Sequence, residues 1–170
     1  MLAALGAEAI GTTSAGHAFT LGEADMGVTR DQAISHLGDL AAATQLPVSG
    51  DMENGFGDDP AIVAETIRLD AEAGGAGCSL EDVIPPAPHA YDRAAAVARV
   101  KAAVEAARAL ADDFVVVARA DGVMHGLYDL DEALWRIKAY EDVGADCVYV
   151  PAPGDADALE QVVKAVNVPV

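Results

Sequence analysis

Basic residues are scarce in this sequence, where ten lysines and arginines stand against 28 aspartates and glutamates and give a formal net charge of -18. A surface of this sign repels nucleic acids and anionic membranes, so we expect neither as a partner. The acidic excess is typical of proteins from a salt-rich cytoplasm, whereas abundant alanine and scarce lysine are equally typical of a GC-rich genome. The charge therefore excludes classes of partner without indicating a reaction.

Cysteines and long apolar runs are also few. Cys78 and Cys147 are the only cysteines and form no CxxC pair, which predicts reduced thiols in a cytoplasmic protein rather than a disulfide or a zinc site. No stretch of about 20 apolar residues is present, and the first ten residues lack the basic segment of a signal peptide, so we expect no membrane span and no leader. Phosphate-binding loops, GxGxxG motifs and nucleophile elbows are missing too.

A glycine recurs between a helix-like stretch and a short apolar run, in residues 5–10, 73–78 and 143–148. A glycine just past a helix end takes the left-handed conformation that closes the helix. The apolar run that follows is typical of a buried parallel strand. Alternating helices and strands of this kind predict a parallel sheet with right-handed crossovers.

We predict six strands with five helices between them. Thr29 with Gln32 is typical of a capping box, and Asp59 precedes Pro60 at the first position of a helix. The strands cover residues 9–14, 47–51, 77–81, 114–120, 147–150 and a last one that begins at Val168, and the helices cover 30–44, 60–73, 93–110, 130–143 and 156–166.

The predicted elements form one domain over residues 1–170, because no linker or shift in composition divides them. A complete eight-fold barrel takes about 250 residues. The sequence holds about five strand–helix units, opens in a helix-like stretch and closes within an apolar run. We therefore expect an α/β fold, a TIM-like barrel that is partial and lacks the first strand and the last units.

Polar side chains follow four of the predicted strands, at the ends that face the active site in parallel α/β folds. Converging carboxylates repel each other, and a hard divalent cation with oxygen ligands removes that repulsion. A nearby arginine binds a carboxylate or phosphonate through two parallel hydrogen bonds, and backbone amides with a serine hydroxyl hold a second anionic group. The strand ends carry residues 12–16, Asp51 and Glu53, residues 79–82, and Arg119 with Asp121.

Each of these residues also has a simpler interpretation. Asp51 and Glu53 fit a solvated loop of a very acidic protein, and Arg119 fits a structural ion pair near the core. Their shared placement at successive strand ends favours a site. His17 and His125 also lie in strand-end loops, where each is a candidate for substrate contact.

Taken in order, these motifs resemble the isocitrate lyase / phosphoenolpyruvate mutase superfamily. The resemblance covers nearly the whole chain, and its most specific part is the acidic, glycine-containing segment of residues 51–57. The other segments that carry it are residues 12–16, 79–82, 117–121 and 139–146. The superfamily includes 2-methylisocitrate lyase, phosphoenolpyruvate mutase, phosphonopyruvate hydrolase and an oxaloacetate-cleaving group.

The resemblance implies a TIM-like barrel that binds Mg2+ or Mn2+ and a small carboxylate or phosphonate substrate. It implies that Asp51 contacts the metal and substrate, and that Glu53, Glu81 and, by a looser match, Asp25 hold the metal mainly through water. Ser14, Ala15 and Gly16 match the loop that grips the substrate carboxylate, and Arg119 matches an arginine that steadies developing charge, with Glu81 and Arg119 taken as catalytic. The implied reaction is C–C cleavage of an α-keto or hydroxy-carboxylate through a pyruvate-enolate-like species, with P–C cleavage or a non-catalytic keto-acid-binding role as alternatives.

The sequence departs from the superfamily in several places. The segment at residues 83–90, where the lyases carry an acid/base cysteine and the mutase a lysine, contains neither. Residues 151–153 stand where the lyases place a glutamate. The family's first strand, its final two barrel units and the swapped last helix that builds its tetramer have no counterpart here. We expect a divergent branch of the superfamily that forms a homo-oligomer at full length.

Overall fold

The structure, a computed structural model, describes residues 1–85 and 89–170, and strands and helices alternate along this part of the chain. The strands are β1 (Ile10–Gly11), β2 (Val48–Asp51), β3 (Gly77–Leu80), β4 (Val83–Ile84), β5 (His89–Ala90), β6 (Val115–Arg119) and β7 (Cys147–Tyr149). The helices are α1 (Ser14–Leu21), α2 (Arg30–Ala43), α3 (Pro60–Glu72), α4 (Arg93–Arg108), α5 (Leu130–Asp142) and α6 (Ala156–Ala165).

Within the described residues, five strands form a parallel sheet in the order β1-β2-β3-β6-β7. The curled sheet is a half-barrel, which confirms the predicted α/β, TIM-like partial barrel. Its outer face packs against the helices through small and branched side chains. Val116 and Ala118 of β6 and Val148 of β7 are completely buried there.

The other face of the sheet is open. Side chains alternate between the two faces of a strand, so Val115 and Arg119 of β6 point away from the helices. Val115 is 47% exposed and Tyr149 of β7 is 46% exposed, which shows that no helix covers this face in the described residues. Arg119 therefore lies at the end of a strand, on the open side of the half-barrel.

The helix ends form as predicted. Thr29 accepts the N–H of Gln32 at 3.3 Å, and the Gln32 side chain accepts the N–H of Thr29 at 2.8 Å, which completes the capping box. Gly74 and Gly144 have φ angles of 97° and 99° just past α3 and α5, as expected for glycines that close a helix. All five predicted helices are confirmed to within two residues at each end. None of the helices that the structure describes is both long and apolar enough to cross a membrane.

The first predicted strand, residues 9–14, is too long. The strand ends at Gly11, and Ser14 already begins α1. Thr13 is the N-cap of this helix and accepts the N–H of Gly16 at 3.4 Å. A threonine cap before a run of small residues competes with extended backbone, so Ser14, Ala15 and Gly16 lie on a helix rather than in the expected loop.

The last predicted strand, from Val168, is not formed in the structure. A single backbone hydrogen bond joins this segment to β7, from the N–H of Val148 to the carbonyl of Pro169 at 3.0 Å. Pro169 has no N–H to return, so a ladder does not continue there.

The segment at residues 83–90 contains secondary structure that the sequence analysis did not predict. β4 and β5 pair in antiparallel fashion, with Ile84 opposite His89. Residues 86–88 of this segment lie outside the described residues.

Candidate active site

Four strand ends deliver their polar side chains to one cavity of about 190 Å³. Ser14 follows β1, Asp51 ends β2, Glu81 follows β3 and Arg119 ends β6. The parallel register places Asp51 beside Ser79, which leads directly to Glu81. The other residues that line the cavity are Thr13, Ala15, Asp25, Met26, Met124 and His125.

Arg119 is the centre of this cluster. Its guanidinium nitrogens lie 2.6 Å from Asp121, 3.2 Å from Glu81 and 3.7 Å from Asp51. The side chain is 16% exposed, so these charges interact with little screening by water. Nε of Arg119 is buried and has no hydrogen-bond partner among the described residues, which leaves one donor of the fork unused.

Asp51 is held from both neighbouring strands. One carboxylate oxygen, Oδ2, accepts the backbone N–H of Ser14 at 2.9 Å and the Ser14 hydroxyl at 3.0 Å. The other oxygen accepts the hydroxyl of Ser79 at 3.3 Å. The backbone N–H of Asp51 donates to the Thr12 hydroxyl at 2.7 Å. The position of this carboxylate is therefore fixed before any ligand binds.

Glu53, two residues past the end of β2, does not continue the extended geometry of that strand. Its φ angle of 46° is left-handed, so Asp51 and Glu53 do not follow the alternation of an extended chain. The carbonyl of Glu53 accepts the N–H of Glu81 at 2.7 Å. Glu53 lines a second, wider groove of about 650 Å³, which also touches Met26, Arg30 and Phe56. Met26 lines both cavities, so they adjoin.

The buried acids of the site have raised pKa values. Burial, and then the charges of Asp51 and Asp25, raise the pKa of Glu53 to about 7. Burial and the charge of Asp121 raise the pKa of Glu81 to about 8, although Arg119 works in the opposite direction. Both carboxyls hold a proton more readily than an exposed glutamate, first because they are buried and then because their neighbours are also acidic.

The remaining predicted site residues occupy mixed positions. Asp25 is exposed, lines the smaller cavity and accepts the N–H of Met26 on its own carboxylate at 3.0 Å. Ala15 lines the cavity from the first turn of α1. Gly16 lies one residue further along the helix and is not among the described residues that line this cavity. The structure thus gathers Ser14, Ala15, Asp25, Asp51, Glu81 and Arg119 around one cavity and puts Glu53 at its border.

The donor set can be compared with what a divalent cation needs. The described residues contain no ready-made group of three or more histidine, cysteine or acidic side chains around one point. Mg2+ does not require one, since it keeps several waters and is often held by one or two carboxylates. Oε1 of Glu53 is buried and has no partner among the described residues. A fixed Asp51, an unpartnered Glu53 oxygen and acids with raised pKa values fit a water-rich Mg2+ site.

Asp82, next to Glu81, does not belong to the cavity. Its carboxylate accepts hydrogen bonds from Tyr128 at 2.8 Å and from Tyr140 and Arg136 at 3.0 Å, and it also accepts the N–H of Asp121 at 2.9 Å. The sequence analysis missed this buried network. The sequence feature that could have revealed it is Arg136, a charged residue on the apolar face of α5 that also carries Ala133, Ile137 and Tyr140.

Arg99 fixes the loop after Asp51 in the same way. It is 1% exposed, and it donates to the carbonyls of Gly57 and Asp58 at 2.6 Å and to the carbonyl of Asn54. Its guanidinium also stacks 4.0 Å from the centre of the Tyr91 ring. Arg99 too is a charged residue on the apolar face of its helix, among the buried residues of α4.

A parallel α/β half-barrel with an arginine and several carboxylates at the carboxyl ends of its strands is typical of enzymes that handle small anions with a metal. The chain belongs to the family described as phosphoenolpyruvate phosphomutase, whose model matches residues 1–170. This membership confirms the superfamily that the sequence motifs indicated.

Curated and solved relatives agree with this assignment. The 2-methylisocitrate lyase of Escherichia coli is 30% identical over 89% of this chain and 52% of its own length. A solved structure from Burkholderia cenocepacia J2315, assigned no more closely than lyase/mutase, is 51% identical with a TM-score of 0.95, over 99% of this chain and 61% of that one. An oxaloacetate acetylhydrolase, solved with its product oxalate, is 29% identical with a TM-score of 0.87. The match covers 96% of this chain and 57% of that one. The chain spans about half the length of the curated relatives it matches.

Proposed function

We propose that this chain carries the metal and anion site of a Mg2+- or Mn2+-dependent lyase. The substrate is a small α-keto or hydroxy-carboxylate, and cleavage of a C–C bond leaves a pyruvate-enolate-like species. The observation that carries the proposal is the position of Arg119, which meets Asp51 and Glu81 in one cavity. Relatives named as lyases support the reaction class.

Some residues of the site bind the metal and others bind the substrate. Asp51 holds the metal directly, and Glu53, Glu81 and Asp25 hold its water shell. The metal, when bound, supplies Lewis-acid stabilisation of negative charge on the substrate. Arg119 binds the carboxylate or the developing enolate oxygen through its fork, for which its unused Nε–H is available.

The first turn of α1 supplies a second anion contact. Helix N-termini present N–H groups without carbonyl partners, and these stabilise negative charge. Ala15 lies in that turn and lines the cavity. In this site the Ala15 N–H donates a hydrogen bond to the substrate carboxylate, and Gly16 allows the backbone and the substrate to approach each other closely. Ser14 keeps Asp51 oriented and contacts the substrate from the same turn.

The adjoining groove favours C–C over P–C chemistry. Its walls include the apolar side chains of Met26, Phe56, Ile62 and Ile84 beside the charged Arg30, Asp31 and Asp58, and Met26 also lines the smaller cavity. Apolar side chains suit the carbon skeleton of a larger hydroxy acid better than a compact, highly charged phosphonate. P–C cleavage, as in phosphoenolpyruvate mutase or phosphonopyruvate hydrolase, is the second candidate, because the matching family model carries that description.

A non-catalytic keto-acid-binding protein is the rival from a different class. It is favoured by the absence of cysteine and lysine from residues 83–90. Binding alone does not separate it from the lyase, whereas pyruvate release from keto or hydroxy acids does.

The deciding experiment is calorimetric titration of oxalate, a mimic of the enolate, into the full chain with Mg2+ and with EDTA, at low and high salt. We expect binding only with Mg2+, and no binding by Asp51→Ala. Tight Mg2+ binding by Asp51→Ala would contradict the assignment of Asp51 as a metal ligand. Absence of oxalate binding by a folded sample would contradict the proposed site.

The setting of the enzyme is part of the proposal. We place it in the cytoplasm, as the two free cysteines suggest, as one barrel domain that includes residues 1–170 and as a homo-oligomer at full length. Its partners are small anions, and the net charge of -18 argues against nucleic acids and anionic membranes.

A further inference from the structure

A lyase of this kind must return a proton to the enolate carbon, and the segment at residues 83–90 offers no cysteine or lysine for that step. Among the described residues that line the cavity, Glu81 is paired with Arg119, the proposed function gives Asp25 and Asp51 to the metal, and an arginine does not give up its proton. His125 is the one imidazole among these lining residues. The sequence analysis noted it as a strand-end histidine that is a candidate for substrate contact.

The turn that carries His125 is braced at both ends. Asp121 begins the turn, bonds to Arg119 at 2.6 Å and donates its N–H to Asp82. At the other end, Tyr128 donates to the same Asp82 carboxylate at 2.8 Å. A Cβ on Gly122 would lie 2.0 Å from the Tyr128 ring, so the turn and the ring are in close contact. These contacts fix the backbone that presents His125 to the cavity.

His125 also has the exposure that proton exchange needs. Its backbone N–H donates to the carbonyl of Asp121 at 3.3 Å, while the residue is exposed at the rim of the cavity. The carboxylate of Asp121 is near enough for its charge to interact with the imidazole. An exposed imidazole can regain a proton from water after each transfer, whereas the buried Glu81 faces Arg119.

We propose that His125 is the proton donor to the enolate carbon, a role that rests on the proposed function. After the C–C bond breaks, the N–H bond of the imidazolium breaks and a C–H bond forms at the methylene carbon. The enolate oxygen becomes a carbonyl, pyruvate is released, and the neutral imidazole takes a new proton from water. In the reverse direction, neutral His125 removes a methyl proton from pyruvate.

The reverse step tests the proposal without knowledge of the substrate. Pyruvate is incubated in D2O with the full chain and Mg2+, and loss of the methyl proton signal is followed by NMR. We expect the wild type to exchange the protons, and His125→Ala to exchange them at least about 100-fold more slowly, since positioned acid–base groups contribute about that factor or more. Added imidazole should restore exchange to His125→Ala and should not accelerate Asp51→Ala.

Oxalate titration of the same samples separates the possible failures. Slow exchange by His125→Ala with Mg2+-dependent oxalate binding intact supports the proposal. Exchange by this variant within about threefold of wild type, a range far below acid–base contributions, overturns it. Loss of oxalate binding in both His125→Ala and His125→Gln assigns a structural role and also overturns it. If the wild type fails to exchange, the proposal is wrong, and oxalate binding then tells whether the enolate site itself survives.

Discussion

Ser14 donates two hydrogen bonds to a single oxygen of Asp51, from its backbone N–H at 2.9 Å and from its hydroxyl at 3.0 Å. The two residues are 37 positions apart in the sequence. Their contact joins the first turn of α1 to the end of β2, so the proposed anion contact and the proposed metal ligand are positioned as a unit. Because of this coupling, a change at Ser14 should alter metal-dependent binding.

Ser14→Ala tests that coupling. It removes the hydroxyl bond but keeps the N–H bond, and a hydrogen bond to a charged group contributes about 1.5–3 kcal/mol. We expect Mg2+-dependent oxalate binding to weaken about tenfold or more, measured by calorimetry. Thr20→Ala on the same helix, which loses only a hydroxyl bond to the His17 carbonyl, is the matched control. Equal affinities for wild type and Ser14→Ala would show that Asp51 is held without this hydroxyl.

Arg119→Lys tests the arginine fork. Lysine keeps the charge beside Asp51, Glu81 and Asp121 but replaces the planar fork by a point charge. We expect oxalate affinity to fall at least about tenfold, a loss that corresponds to about 1.4 kcal/mol. Arg108→Lys, which changes an exposed pair with Asp146, is the control and should bind oxalate normally. Unchanged affinity in Arg119→Lys would make Arg119 a structural residue.

Asp70→Asn should change how stability depends on pH. The Asp70 carboxyl is completely buried on α3, and neither of its oxygens has a hydrogen-bond partner among the described residues. A Cβ on Gly50 or Gly75 would overlap these oxygens, so the carboxyl is enclosed by backbone. Burial raises the pKa of Asp70 to about 8.

The sign of the effect follows from proton binding. Between the unfolded pKa near 4 and the folded pKa, the folded state keeps a proton that the unfolded state has lost, so stability falls as pH rises, by roughly 1.4 kcal/mol per pH unit. Urea unfolding should show Asp70→Asn to gain about 3–4 kcal/mol of stability on the wild type between pH 5 and pH 8. Asp113→Asn, at an exposed position, should show no such gain. A constant difference at both pH values would exclude a protonated Asp70.

Asp82→Asn tests the buried network beside the site. The change removes the charge of Asp82, 3.0 Å from the 4% exposed Arg136, and leaves Glu132 at 2.9 Å as the charged partner of this arginine. Breaking a buried ion pair costs about 3–5 kcal/mol, whereas an exposed pair contributes about 0–1 kcal/mol. Urea unfolding should therefore separate Asp82→Asn from Glu65→Gln, which breaks an exposed pair with Arg68. A loss below about 1 kcal/mol would show that Glu132 and the Tyr91 carbonyl hold Arg136 without the charge of Asp82.

The sequence predicted what depends on neighbours along the chain. Glycines after helices, the capping box at Thr29 and the Asp59–Pro60 start are local signals, and they set the helices and strands. Where local signals compete, the prediction was wrong. Thr13 caps a helix instead of extending β1.

By itself, the sequence determined that this is a parallel α/β protein with acids and an arginine at its strand ends. The hydrophobic pattern of a strand and the cap of a helix each depend on residues only a few positions apart in the sequence. Only the tertiary structure decided which of those charges meet. Arg119 reaches Glu81 and Asp51 but Asp82 turns to Arg136, and His125 reaches the cavity through a turn braced by Tyr128. These partners are set by sheet register and helix packing between distant segments, which no local pattern specifies.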